Sequence, residues 1–155
     1  MDRDAAADAF WREVVALYER DGVAAACLRA QDEGGADVLL ALAAAALAHR
    51  GRRLDDRLVS ALEARAAPWR RDVVAPLRAL RRRWRGNEDA RALRRTLKAL
   101  EVAAEKRQLE LLAPLLADAV PAAASPALLR HNLALALPPA ARSHGRALAA
   151  ALGEG

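Results

Sequence analysis

The longest uninterrupted apolar stretch of this chain covers residues 38–48, which contain no polar side chain. A helix that is apolar on every face must be buried on all sides. Asp37 before the stretch suits a helix N-terminus, and His49 and Arg50 after it suit a C-terminus followed by a Gly51 cap. This pattern predicts a central helix around which other helices pack.

Apolar residues recur at helical spacing through most of the remaining chain. The Asp21-Gly22 and Gly34-Gly35 pairs are typical helix ends, and Ser125-Pro126 is a typical helix start. Besides the central helix, the pattern predicts helices over residues 8–20, 23–33, 55–66, 69–85 and 88–112, one beginning at Ser125, and a weak one after Pro138-Pro139. The helices at 69–85 and 88–112 would form an antiparallel pair joined by a tight turn.

Two prolines bear on these boundaries. Pro68 is expected to close the helix at 55–66 or to open the next one. Pro76 lacks a backbone donor and should kink the helix at 69–85 or mark its true start.

The predicted fold is therefore all-α, a single-domain bundle of about six or seven helices around a buried central helix. Its 42 alanines and the absence of isoleucine favour helix over strand. We expect residues 1–113 to form the bundle core. Residues 114–155, rich in Ala, Leu and Pro, are expected to form a helical extension that is partly mobile at its ends.

The composition also bears on location. No apolar stretch reaches the roughly 18 to 20 residues that a membrane span needs. The N-terminus lacks a secretory signal, and the single cysteine, Cys27, excludes an internal disulfide and is expected to be a buried, inert thiol. We expect a cytoplasmic protein.

The net charge of +5 is unevenly distributed. Residues 1–37 carry nine acids and four bases, whereas residues 70–98 carry eleven bases and three acids. On a regular helix over residues 69–85, the apolar side chains Trp69, Leu80 and Trp84 share one side. The arginines expected on the opposite side, here called the arginine face, are Arg70, Arg71, Arg78, Arg81, Arg82 and Arg85.

Several functions are open for the arginine face. It is a candidate partner-binding surface for another protein or a second copy of this chain, and a candidate for sequence-nonspecific nucleic-acid binding through phosphate contacts across residues 70–95. It could also contact a membrane surface. The simplest interpretation, which we favour, is that these arginines only form a solvated helix face or pair with the acidic residues of the N-terminal third.

The helix at 88–112 has a main apolar stripe containing Leu93, Leu97 and Leu100, with Val102 and Leu109 nearly opposite. A second face must therefore be covered, either by the C-terminal segment or by a partner. Val102 and Leu109 are for that reason candidate partner-binding residues.

Acidic residues supply the remaining candidates. A possible polar site combines Gln31, Asp32 and Asp37 with Glu101 and Glu105, which lie one helical turn apart. The first group would offer carboxylates to a metal or a basic partner, and the two glutamates would place carboxylates for acid and base chemistry. We favour helix capping for the first group and ordinary surface ion pairs with Arg94 and Lys98 for the second.

We predict no catalytic residue, metal ligand or cofactor. The three histidines stand in no metal-binding spacing, and the chain has no phosphate-binding glycine loop, no CxxC and no GxSxG. No small-molecule ligand can be inferred from the sequence.

Four blocks resemble a known family. They are ALYERDGVAAACLRAQDEGGADV at 16–38, HRGRRL at 49–54, APWRRDVVAPLRALRRRW at 67–84 and LKALEVAAEKRQLELL at 97–112. In this order they are similar to an uncharacterised bacterial family of short proteins, domain of unknown function 2390. The resemblance covers about two thirds of the chain and implies a small helical cytoplasmic protein, with no established activity or catalytic residues.

The leading functional hypothesis is a non-enzymatic protein-interaction or regulatory module that uses the arginine face or the second apolar face. Nucleic-acid binding is the first alternative. An enzyme with a carboxylate site, built from residues such as Asp32, Asp37, Glu101 and Glu105, is the second.

Overall fold

The computed structural model describes residues 2–153 and is an all-α protein, as predicted. Its α-helices are α1 (Arg3–Tyr18), α2 (Val23–Gly34), α3 (Val38–His49), α4 (Asp56–Trp69), α5 (Ala75–Arg83), α6 (Arg91–Leu116), α7 (Pro126–Ala136) and α8 (Gly145–Gly153). A π-helical segment, Arg70–Val74, joins α4 to α5 in one continuous rod. Two short antiparallel strands, β1 (Arg52–Arg53) and β2 (Val120–Pro121), were not predicted.

The apolar stretch forms α3, at the centre of the bundle. Every residue from position 39 to 48 is buried, and α1, α2 and α7 pack around it. The Asp37 side chain caps the helix by accepting a hydrogen bond from the backbone N–H of Leu40 (3.2 Å). The predicted central helix is confirmed.

The rod formed by α4, the π segment and α5 differs from the prediction. Pro68 lies inside α4 and neither ends this helix nor begins the next one. At the end of the π segment the N–H of Ala75 donates to the carbonyl of Arg70, five residues back, and Pro76 follows in the first turn of α5. A π turn adds about one residue to the helix, so the side chains after it are rotated by about 100° from their places on a regular helix.

Helix α6 runs antiparallel to this rod, as predicted. Trp69 contacts α6 at Ala104, and Arg81 contacts it at Arg94, so the two sequences run in opposite directions. However, the predicted apolar stripe is only partly buried, because Leu93 is 61% exposed and Leu100 54%. The face turned inward carries Leu97, Glu101, Ala104, Gln108 and Leu112.

The C-terminal segment packs against the core. Helix α7 contacts α3, and α8 contacts α7 and α2. The predicted start at Ser125 is correct, because its side chain accepts a hydrogen bond from the N–H of Leu128 (3.0 Å). The predicted boundary at residue 113 falls within α6, which continues to Leu116.

Gly51 gives a test of the packing between the α3 C-terminus and the segment after β2. It has a φ of +68°, and an added Cβ would lie 2.6 Å from the carbonyl oxygen of Ala122. We expect Gly51→Ala to lower the free energy of unfolding by about 2–3 kcal/mol, because backbone strain and a backbone clash combine. Urea denaturation would measure this change.

Gly35→Ala is the matched control. Its φ is +67°, and an added Cβ would meet nothing within 4 Å. The control should therefore report the backbone strain alone, about 1 kcal/mol. Equal losses in the two variants would show that the contact with Ala122 adds nothing.

Candidate ligand-binding cavity

A cavity of about 290 Å³ lies where α1, α2, the N-terminus of α3, the π segment, α5 and α6 meet. Its apolar wall comes mainly from α1 to α3, which place hydrophobic side chains one helical turn apart toward a common space. These side chains include Trp11, Val14, Val15, Tyr18, Leu28, Val38 and Leu42. The cavity therefore has a broad apolar surface.

The opposite wall is charged. It comes from the π segment, α5 and α6, where the rotation by the π turn directs arginines inward. The polar groups on this wall are Arg70, Arg78, Arg81, Arg82, Lys98, Glu101, Glu105 and Gln108, with Asp37 at the start of α3.

Glu101 is the centre of this wall. Its side chain is 1% exposed and accepts hydrogen bonds from Arg81 and from Nε of Arg78 (3.3 Å). Burial raises the pKa of Glu101, but the hydrogen bond from Arg81 and the charges of Lys98 and Arg78 outweigh it, so the net pKa is lowered. The predicted surface ion pair is therefore wrong for Glu101, whose carboxylate is buried and bound to arginines of another helix.

Asp37 links three elements at the inner end of the wall. Its Oδ2 accepts hydrogen bonds from Nη1 of Arg70 (2.8 Å) and from Nε2 of Gln108 (2.9 Å), while its Oδ1 caps α3. Arg70 also pairs with Glu63, and hydrogen bonds to Glu63 and Asp37 raise the pKa of its guanidinium despite burial. Helix capping was predicted for Asp37, and the structure adds the two cross-links.

Glu105 differs electrostatically from Glu101. It accepts one hydrogen bond, from Nη2 of Arg78 (3.1 Å). Burial raises the pKa of its carboxyl, and the charge of Glu101 adds to this effect while Arg78 opposes it. The pKa of Tyr18 is also raised, first by burial and then by Cys27 and Glu105, and all three side chains line the cavity.

Cys27 is buried, as predicted. It lines the cavity, and burial raises the pKa of its thiol to about 11. The thiol is therefore protonated at neutral pH and a poor nucleophile.

The predicted arginine face does not exist as one outward surface. Five of its six arginines form ion pairs: Arg70 with Asp37 and Glu63, Arg71 with Asp72, Arg78 with Glu101 and Glu105, Arg81 with Glu101, and Arg82 with Asp32. Only Arg85 lacks a carboxylate partner within residues 2–153 and is exposed. The prediction from a regular helix over residues 69–85 was wrong because the π turn rotates the side chains of α5.

The other predicted site residues lie around the same cavity. Gln31 lines it, and Asp32 is exposed beside it, paired with Arg82. Val102 lies at its edge and is 38% exposed, but Leu109 is fully buried. Helices α1 and α4 pack on α6, so the second apolar face is largely covered within the chain, and Leu109 is unavailable to a partner.

The sequence interpretation missed Trp11, Tyr18, Lys98 and Gln108 as cavity residues. A signal existed for Gln108, which continues the helical spacing of Leu97, Glu101 and Ala104 into Leu112. Polar residues on an otherwise apolar stripe indicate a buried polar network. Trp11 and Tyr18 share helical spacing with Val14 and Val15 in the helix predicted over residues 8–20, and this spacing indicates burial but not a cavity.

Two further classes of site are absent from residues 2–153. No group of three or more His, Cys, Asp or Glu side chains converges there in a way that could hold a metal ion. Within the same residues, every helix is too short or too polar to cross a membrane.

Comparison with known families gives one match, the protein of unknown function family DUF2390, over residues 9–112. The match covers more than half of the chain. This protein is a member of the DUF2390 family. No curated protein and no solved structure matches it.

The DUF2390 match has a clear relation to the cavity. All lining residues, from Trp11 to Gln108, lie within residues 9–112. The helices α7 and α8 lie outside the match and contribute no lining residue. The cavity is thus built wholly from the part of this DUF2390 protein that the family describes.

Proposed function

We propose that this protein is a non-enzymatic binding module whose cavity takes a small amphipathic molecule. The observation that carries the proposal is the cavity itself, in which an apolar wall lies opposite a wall of charged side chains held by ion pairs. Small-molecule sites are typically concave and mostly apolar, with a few polar groups that orient the ligand. Its volume of about 290 Å³ lies at the small end of such sites.

The edge of the cavity supports the same proposal. Tyr18 is 39% exposed, Leu28 46% and Val102 38%, and all three line the cavity. Apolar side chains that stand together around a concavity, with charged groups beside them, are typical of a surface covered by a ligand. An amphipathic molecule would cover these side chains and leave its polar group on the charged wall.

The charged wall is held in place before any ligand arrives. Glu101 fixes Arg78 and Arg81, and Asp37 fixes Arg70 and Gln108. Because these side chains are already ordered, binding a ligand does not lose free energy to ordering them. The wall thus acts as a rigid partner for a polar group.

The hypotheses drawn from the sequence have less support. Protein interaction and nucleic-acid binding through the arginine face would require most of its arginines to leave their ion pairs. An enzymatic role has one supporting observation, the raised pKa of Glu105 beside Tyr18 in the cavity. Cytoplasmic localisation stays a prediction that rests on composition.

Titration with 1-octanol tests the proposal. Trp11 lines the cavity and Trp69 does not, so binding should change the fluorescence of a Trp84→Phe protein through Trp11. We expect Val102→Phe to weaken octanol binding about tenfold, because the larger ring occupies the cavity edge.

Leu93→Phe is the matched control on the same helix. Leu93 is exposed and is not a lining residue, so this variant should bind octanol like the parent protein. No saturable change of fluorescence in the parent, or equal weakening in both phenylalanine variants, would disprove the proposal.

A further inference from the structure

A second concavity lies beside the cavity, in the groove between the end of α5 and the start of α6. Its volume is about 430 Å³. Trp84 and the turn from Gly86 to Glu88 form one side. The cationic side chains that line this basic groove are Arg81, Arg91, Arg94, Arg95 and Lys98.

The segment that contains the basic groove, residues 81–98, carries the net positive charge of the protein. Residues 81–98 contain eight basic and two acidic residues, a net charge of +6. The rest of the chain contains 17 basic and 18 acidic residues, a net charge of −1. The field of the molecule is therefore concentrated at this helical hairpin.

Three of the cations in the basic groove form no ion pair within residues 2–153. Arg81 pairs with Glu101, and Arg91 pairs with Glu88. In contrast, Arg94 donates from Nε to the backbone carbonyl of Arg81 (3.0 Å), an uncharged acceptor that orients the guanidinium but leaves its charge. Arg95 and Lys98 have no carboxylate within ion-pair distance in residues 2–153.

The basic groove and the cavity share two lining side chains, Arg81 and Lys98. The two concavities therefore adjoin, and a molecule that spans their boundary would pass these two side chains on the way to Arg94 and Arg95.

From these shared side chains and the cations of the groove we propose that the ligand is an amphipathic phosphate, with its apolar part in the cavity and its phosphate in the basic groove. This proposal rests on the proposed function. Three cations that are free of direct ion pairs in the described residues suit a phosphate monoester, which carries a charge of about −1.5 to −2 at pH 7 and three acceptor oxygens. A single carboxylate would leave at least two of these cations without a counter-charge.

Parallel titrations with n-octyl phosphate, 1-octanol and inorganic phosphate test the proposal. At low ionic strength we expect n-octyl phosphate to bind about tenfold more tightly than 1-octanol, because the phosphate adds charge-assisted hydrogen bonds. In a Trp11→Phe protein, n-octyl phosphate should change the fluorescence of Trp84 in the groove, and 1-octanol should not.

The double variant Arg94→Gln with Arg95→Gln changes two side chains that line the groove and do not line the cavity, so it should remove the tenfold advantage and leave octanol binding unchanged. The matched control is Arg130→Gln with Arg142→Gln, two exposed arginines on α7 and the segment after it that form no ion pair in the described residues. It lowers the net charge equally and should keep the advantage.

The outcomes separate the two proposals. If 1-octanol binds but n-octyl phosphate gains nothing, the phosphate proposal fails and the proposed function stands. If neither binds, both fail. Inorganic phosphate that binds as tightly as n-octyl phosphate would show an isolated anion site. A single-stranded oligonucleotide that binds more tightly than n-octyl phosphate and is not displaced by it would show a nucleic-acid site. Either result overturns the proposal of a ligand that spans the cavity and the groove.

Discussion

Replacing Glu101 with alanine is expected to lower the free energy of unfolding by about 3–5 kcal/mol, because it removes one partner of a buried ion pair and leaves the others uncompensated. Glu101 is 1% exposed, and both Arg78 and Arg81 depend on it for charge balance. Glu105 would be left as the single carboxylate for Arg78, and Arg81 would have no carboxylate partner. Urea denaturation followed by circular dichroism would measure the loss.

Glu88→Ala is the matched control for Glu101→Ala. Glu88 also pairs with an arginine, Arg91, but both side chains are about 70% exposed. Exposed pairs contribute at most about 1 kcal/mol, so this variant should unfold close to the parent. Similar losses in the two variants would contradict the buried network.

A double variant separates the ion pair from the packing around it. Glu101→Leu with Arg81→Leu replaces a buried pair with apolar side chains, an exchange that is often neutral. We expect it to be more stable than either single replacement, because no uncompensated charge then remains at this position. A double variant as unstable as the sum of the single variants would show that the two side chains do not act as a pair.

The bundle could be predicted from the sequence because its signals are local. The apolar stretch of α3, the cap at Asp37 and the start of α7 at Ser125 each depend on residues within a few positions of one another. Such patterns report which residues are buried. They do not report which buried groups meet.

The cavity could be predicted only in part, because a single turn decides the direction of α5. The sequence placed Arg78 and Arg81 on an outer face by assuming 3.6 residues per turn from Trp69 onward. The π turn before Pro76 changes that phase, and the same arginines then face Glu101 and Glu105. No residue pattern in α5 itself carries this information.

The contacts that attach the C-terminal segment to the core could not be predicted from the sequence either. Asn132 is one polar residue in the leucine-rich helix α7, yet it is fully buried where α7 packs on α3 and on residues 52–54. Its Oδ1 accepts from the N–H of Leu54 (3.0 Å), and its Nδ2 donates to the carbonyls of Arg52 (2.9 Å) and Ala44 (3.2 Å). These contacts join residues about 80 positions apart, which no local pattern reveals.

Asn132→Ala is therefore expected to lower the free energy of unfolding by about 3–4 kcal/mol. The replacement takes a partner from three backbone groups at once, and a buried group left unpaired costs about 1–3 kcal/mol. The carbonyl of Ala44 keeps its bond within α3, so the largest single loss should come from the N–H of Leu54. Amide hydrogen exchange at Leu54 should accelerate together with the loss in urea denaturation.

Two comparisons assign that loss to the hydrogen bonds. Asn87→Ala makes the same chemical change at an exposed turn, where the side chain accepts one bond from the N–H of Asp89 (3.1 Å), and should cost about 1 kcal/mol or less. Asn132→Leu keeps the number and branching of the side-chain heavy atoms but cannot pair the backbone groups, so it should remain nearly as unstable as Asn132→Ala. If Asn132→Leu restored the stability of the parent, the role of Asn132 would be to fill space, and the three hydrogen bonds would not hold α7 to the core.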